Sequence, residues 1–270
     1  MTGYMKKFSN DTGSVFTGKG LSFGGSLMRP EATGYGTVYF TQEMLLHRGD
    51  SLVGKTVAVS GSGNVAQYAC EKAMQLGAKV LTLSDSGGTL FVAQGMTPEL
   101  LAELMTFKNV QRGRLADFAQ AHGLTFEAGK RPWHHAVDIA LPCATQNELD
   151  EQDAQTLIAN GVLCVAEGAN MPSTLGAVDA FIHAGVLFAP GKASNAGGVA
   201  TSGLEMSQNA MRLSWTAAEV DAKLHTIMKD IHQNCIRYGT RADGSVNYVD
   251  GANIAGFVKV AQAMAEQGVY

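Results

Sequence analysis

The chain has 270 residues, of which 46% are hydrophobic and 16% charged, with 20 basic against 24 acidic side chains and a net charge of -4. It is too apolar and too weakly charged for a disordered polypeptide, and it has room for one large domain or two smaller ones. No Lys/Arg run favours nucleic acid, no apolar stretch reaches the roughly 18 residues of a membrane span, and the opening MTGYMKKFSNDTG lacks the apolar region of a secretory leader.

In chain order, residues 30–47 read as a helix opened by Pro30 and closed near Gly49. Five short apolar runs follow, at 56–60, 79–83, 137–141, 162–165 and 186–189. None alternates cleanly between polar and apolar, the mark of strands buried on both faces of a parallel sheet. Helical patterns at 64–76, 150–160 and 173–184 end at Gly77, Gly161 and Gly185. Strand and helix in alternation predict an α/β fold, a Rossmann-like doubly wound parallel sheet. After Gly197 the chain reads as helical only. One stripe comprises Val220, Leu224, Ile227, Met228 and Ile231, another Ile254, Phe257, Val258, Ala261 and Met264, with a polar loop at 238–250 between them. Cys70, Cys143, Cys164 and Cys235 are widely spaced, as expected of reduced thiols in a cytoplasmic protein.

In such a sheet, ligands bind beyond the carboxyl ends of the strands. The first strand runs into Gly61-Ser62-Gly63-Asn64-Val65-Ala66, a G-x-G-x-x-A turn that opens a helix. Glycine there lets the backbone approach a pyrophosphate, which the free amides of the helix start then hold. Asp85 ends the second strand 24 residues after Gly61, at the position where an acid usually meets the adenosine ribose. The remaining strand ends carry Pro142-Cys143-Ala144-Thr145, Glu167-Gly168-Ala169-Asn170 and the glycine-rich segment 190–198, so a polar rim is expected along one edge.

Asp85 by itself points to NAD. Its neighbours Ser84 and Ser86, with Lys108, Arg112 and Arg114 downstream, allow a ribose 2′-phosphate instead. The basic residues are equally compatible with an ordinary solvated face. Two decoys are set aside. The segment GSVFTGKG at 13–20 resembles a phosphate loop but has Gly20 where a Ser or Thr would follow the lysine. His134 and His135 are adjacent, would point to opposite faces of a strand, and read as surface or packing residues.

The stretches 19–26 (KGLSFGGS), 29–36 (RPEATGYG), 60–66, 141–147, 166–172 and 195–209 resemble the NADP-type glutamate dehydrogenases of bacteria and lower eukaryotes, and the resemblance runs along essentially the whole chain. It implies a two-domain subunit, hexameric in the full-length family, that interconverts L-glutamate with 2-oxoglutarate and ammonium using NADP(H). By motif match, Thr33, Gly61, Gly63, Asn64 and Val65 would contact the cofactor. Ser84, Asp85 and Ser86 would lie near its adenosine ribose and Asn170 and Asn195 beside the nicotinamide, and Lys108, Arg114, Ala144 and Thr145 complete the candidate cofactor-binding residues. Val199 and Ser202 match positions that meet the substrate side chain, Ser202 donating to its distal carboxylate.

The resemblance also implies what is missing. The family's substrate-holding lysines, catalytic lysine and catalytic aspartate belong to an N-terminal domain, and Lys6, Lys7 and Asp11 do not match them. No catalytic residue is therefore assigned in this chain, and no metal. It reads as residues 1–20 from the substrate domain, a dinucleotide-binding domain at 21–200, and C-terminal helices at 201–270 that pack back toward the substrate domain. Apolar stripes normally covered by that domain would be left exposed or buried in a dimer. The alternative is a dinucleotide-binding or assembly module without chemistry of its own; a dehydrogenase for apolar amino acids is disfavoured by Ser202, whose buried hydroxyl would lack a charged partner.

Overall fold

The computed structural model describes Tyr4, Lys7, Phe8 and residues 15–268. Lys6, Asp11 and the first residues of the loop-like segment 13–20 lie outside the described residues, and Lys7 is exposed.

The helix α1 (Ala32–His47) precedes the first strand, β1 (Thr56–Val59), and is almost wholly buried. Then come α2 (Asn64–Gln75), β2 (Lys79–Asp85), β3 (Gly88–Phe91), α3 (Pro98–Asn109), α4 (Leu115–His122) and β4 (Thr125–Ala128). The second half runs β5 (Ile139–Leu141), α5 (Glu151–Ala159), β6 (Cys164–Ala166), α6 (Leu175–His183) and β7 (Leu187–Ala189). A short helix α7 (Gly191–Ser194) leads into α8 (Gly197–Met211), α9 (Ala217–Gly239) and α10 (Tyr248–Gln267).

The seven strands form one sheet in the order β4-β3-β2-β1-β5-β6-β7. Pairing from β2 through β7 is parallel, as expected, and each predicted run overlaps a strand, with β2 running two residues and β6 one residue past the expected end. Two strands escape the sequence reading. β2 continues through Ser84 and Asp85, turns at Ser86-Gly87 and pairs antiparallel with β3, which pairs antiparallel with β4. What reads as a rim loop at 84–88 is thus the tip of a hairpin.

Side chains alternate between two cores. Val57, Val59, Ile139, Leu141 and Cys164 face one side, against α1 and α2, while Ala58, Ala140, Val165 and Phe188 face the other with Leu157, Phe181 and Trp133. Both faces are covered, so the strands read as continuous apolar runs. Between β1 and β2 the register slips at Val57/Ala58. Thr82 fills the gap: its hydroxyl accepts from the Val59 amide at 3.0 Å and donates to the Val59 carbonyl at 3.1 Å.

The C-terminal helices pack on α1. Gly36 and Gly197 let α1 and α8 cross in contact, since a Cβ at Gly197 would lie 2.2 Å from the Ala32 carbonyl oxygen. Tyr39 donates to Asp221 of α9 at 2.8 Å and stacks on His225. Val220, Leu224 and Met228 of the first predicted stripe are buried. Of the second, Ile254, Phe257 and Met264 are exposed, and Val258 and Ala261 half-buried. All four cysteines are free and buried. Among the described residues no helix is long and apolar enough to cross a membrane.

Candidate functional site

Strand order reverses at β1, whose chain neighbour β2 lies on one side and β5 on the other. Loops leaving two such strands diverge and leave a crevice above the sheet. Gly61 opens it in a left-handed conformation (φ +84°), with its amide donating to Ser84 Oγ at 2.8 Å. A Cβ at Gly61 would meet the Cys143 carbonyl oxygen and Ala144 Cα at 3.1 Å. Gly63 caps α2 with extended backbone and no side-chain hydrogen bond, and a Cβ there would meet nothing within 4 Å. The first amides of α2 have no intrahelical acceptor, so this end of the helix offers free N–H groups and positive partial charge to an anion.

Two clefts flank this turn. One, of about 650 Å³, is lined by Gly61, Ser62, Gly63, Ser84, Asp85, Ser86 and the segments 129–132 and 143–148. The other, of about 630 Å³, is lined by Arg29, Thr33, Val65, the loop 143–146, Gly168, Ala169, Asn170, Asn195, Gly198, Val199 and Ser202. They share Cys143, Ala144, Thr145 and Gln146, and so form one groove. Asn64, Lys108 and Arg114 stand outside its walls; the Asn64 side chain is turned away, its Nδ2 donating to the Pro30 carbonyl at 2.5 Å.

At the hairpin end, Asp85 is engaged by the protein itself. Oδ1 accepts from the Gly87 amide at 2.8 Å and from Arg114 at 3.4 Å. Oδ2 accepts from the Leu115 amide at 3.1 Å and lies 3.8 Å from Lys108 Nζ. Arg114 also donates to Ser86 Oγ at 2.7 Å. The carboxylate therefore anchors two cations, one of them hydrogen-bonded to Ser86, and its own charge is offset.

Two acids that sequence reading missed hold the groove in shape. Glu148 accepts from Ser60 Oγ at 2.8 Å and from the Ala144 amide at 2.9 Å, fixing the shared loop. Glu167 accepts from the Gly191 amide at 2.7 Å and the Ser173 amide at 3.2 Å, tying the end of β6 to the end of β7. Burial raises both above the ordinary carboxyl range, against hydrogen bonds that favour the charged form. With the two loops joined, Asn195 Nδ2 donates to Asn170 Oδ1 at 2.9 Å and to the Ala169 carbonyl at 3.1 Å. The only signal in sequence for either acid is its place directly after a strand or rim loop.

Arg29 was also missed as a lining residue. Its Nε donates to Ser202 Oγ at 2.9 Å, so the serine accepts from the guanidinium and keeps its own proton free to donate. Val199 stands exposed one turn earlier on α8. Lys19, in the loop-like segment, is bound to the buried Glu205, which also accepts from the Gly18 amide at 3.0 Å. That lysine is a structural tie to α8.

Residues 24–268 match the family model Glutamate/Leucine/Phenylalanine/Valine dehydrogenase. The chain is 65% identical over its whole length to the NADP-specific glutamate dehydrogenase of Haemophilus influenzae, of which it spans 60%. It is 60% identical to the NAD(P)-specific glutamate dehydrogenase of Xylanibacter ruminicola and 56% to the NAD-specific enzyme of Bacteroides fragilis, spanning 61% of each. The crystal structure of Plasmodium falciparum glutamate dehydrogenase superposes on it with a TM-score of 0.97 at 43% identity, covering the whole of this chain and 58% of that one. The chain spans about three fifths of the length of these relatives. Its seven-stranded α/β architecture and its sequence agree throughout: the chain belongs to the Glutamate/Leucine/Phenylalanine/Valine dehydrogenase family.

Proposed function

We propose that this chain supplies the cofactor-binding part of an NADP-dependent glutamate dehydrogenase, which interconverts L-glutamate with 2-oxoglutarate and ammonium. The observation that carries the cofactor choice is the state of Asp85. An acid free to accept from a ribose 2′-hydroxyl would repel a 2′-phosphate. Here both carboxylate oxygens are occupied, Arg114 reaches Ser86, and Lys108 lies against the same carboxylate. A phosphate with nearly two negative charges suits such a pocket.

Bound NADP(H) would supply the hydride donor or acceptor. The free amides of α2 hold the pyrophosphate. Asn170 and Asn195, fixed by Glu167, present amide groups at the nicotinamide end of the groove. Ser202, polarised by Arg29, is the donor for a distal carboxylate, which favours glutamate over apolar amino acids. The substrate-side cleft offers Arg29 and the Cys143 thiol as its titratable groups, and burial raises that thiol well above its ordinary value. Neither serves as a proton donor to an imine at neutral pH, so the described residues of this cleft supply no acid/base group, and in this reading those groups belong to the family's N-terminal domain. In this reading residues 21–200 form the cofactor domain, 1–20 and 201–270 adjoin the substrate domain, and the whole enzyme is a cytoplasmic homohexamer.

NADPH fluorescence titration tests the groove. The wild-type chain should bind, and Gly63→Val should weaken binding roughly tenfold or more by filling the open space at the helix start. An unchanged affinity in a folded variant removes the pyrophosphate assignment. Absorbance at the NADPH band with 2-oxoglutarate should stay flat on adding ammonium. Ammonium-dependent oxidation would place the acid/base groups in this chain, while an effect of 2-oxoglutarate on NADPH affinity separates a dehydrogenase part from a plain dinucleotide module.

A further inference from the structure

The end of β4 and the turn behind it gather three ligand-type side chains outside both clefts. His134 and His135 do not diverge as they would on a strand. They sit at the close of a 3₁₀ turn (Pro132–His134), and both rings reach Glu127. His135 Nε2 lies 2.8 Å from Glu127 Oε2, and His134 Nε2 lies 3.1 Å from the same oxygen. The three ligand atoms fall within 4.8 Å of one another. Around a tetrahedral zinc ion with bonds of about 2.0–2.1 Å, neighbouring ligand atoms stand roughly 3.3 Å apart.

Proton bookkeeping singles out His134. Its Nδ1 faces the Arg131 carbonyl at 2.8 Å, and a carbonyl only accepts, so Nδ1 carries the proton. In the neutral tautomer the Nε2 lone pair points at a carboxylate, so two acceptors would face each other. A cation between them resolves the conflict. A backbone carbonyl on the far nitrogen is also the usual outer partner of a metal-bound imidazole, since it fixes both tautomer and ring orientation.

We propose that Glu127, His134 and His135 form a site for a divalent transition metal of the zinc class, with a fourth position open to water. Two imidazole nitrogens and one carboxylate suit zinc, and disfavour magnesium and calcium, which take oxygen ligands. The ligands are already ordered. Glu127 is on a paired strand, and the His135 ring lies flat on Phe91, with centroids 4.3 Å apart and planes at 4°. His134 is partly exposed and gives the ion a way in. Lys130 Nζ, 3.8 Å from Glu127 Oε1, is the competing cation, and it is exposed enough to swing away. The cysteines are buried and offer no rival soft site.

Cobalt(II) chloride, titrated into the chain without a histidine tag, tests this directly. The wild type should develop the intense visible band of four-coordinate cobalt, saturating at a single equivalent and bleached by zinc chloride. Glu127→Gln and His134→Ala, shown folded by circular dichroism, should lose the band. Lys130→Ala should keep it and tighten the metal several-fold by removing the competing charge. No band in the wild type, or a band that survives in both ligand variants, overturns the site and leaves an imidazolium–carboxylate pair. The titration uses no dinucleotide, so its outcome is independent of the proposed dehydrogenase role.

Discussion

Asp85 shows how one residue's partners alter its meaning. Read in sequence, an acid at the end of the second strand favours NAD; with its oxygens held by two backbone amides and two cations, it organises a phosphate pocket instead. Lys108→Ala combined with Arg114→Ala should therefore weaken NADPH at least about tenfold more than NADH, the scale of charge-assisted hydrogen bonds to a phosphate. Equal losses in parallel titrations would return both residues to the solvated surface. The glycine turn was legible because its φ and its open approach are properties of Gly61 and Gly63 themselves. Arg29, Glu148 and Glu167 were not, because their roles depend on partners 173, 88 and 24 residues away in the chain.

At the scale of elements, the apolar runs revealed the five parallel strands, since burial on both faces leaves a composition that no loop shares. The β3–β4 extension stayed hidden. β4 is Thr125-Phe126-Glu127-Ala128, half-exposed at the sheet edge, and its polar residues carry no strand signal. The packing of α9 on α1 and α10 buries His232, whose pKa burial lowers to about 4, with His47 adding to the shift. The ring is stacked with Tyr248, meets Phe40 edge-on and leaves Nδ1 without a partner. The folded state refuses a proton that the unfolded chain accepts near pH 6.5. Stability is thus complete above that pH and falls as the pH drops toward 4, by about 2 kcal/mol between pH 7 and 5. Urea unfolding of the wild type and His232→Leu at both pH values should show a smaller loss in the variant, and equal losses would exclude this histidine as the cause.

The whole molecule presents apolar surface that its own fold leaves in water: Ile254, Phe257, Val260 and Met264 on α10, and Val199, Met206 and Met211 on α8. Faces of this kind mark contact surfaces. Light scattering should report a mass that rises with protein concentration, and Phe257→Glu should hold the chain monomeric. A concentration-independent monomer mass in the wild type would show that these faces tolerate solvent.

The loop Cys143–Gln146 is a wall common to both clefts, pinned from behind by Glu148. A partition shared by two chambers makes each one's filling a condition on the other. If one half of a dinucleotide shifts this segment from its resting place, the other half meets the wall already moved and binds with part of the cost removed. By thermodynamic reciprocity the benefit is equal in both directions. A nucleotide fragment and a nicotinamide fragment offered separately would then report a joining energy that belongs to the protein and not to the bond between them.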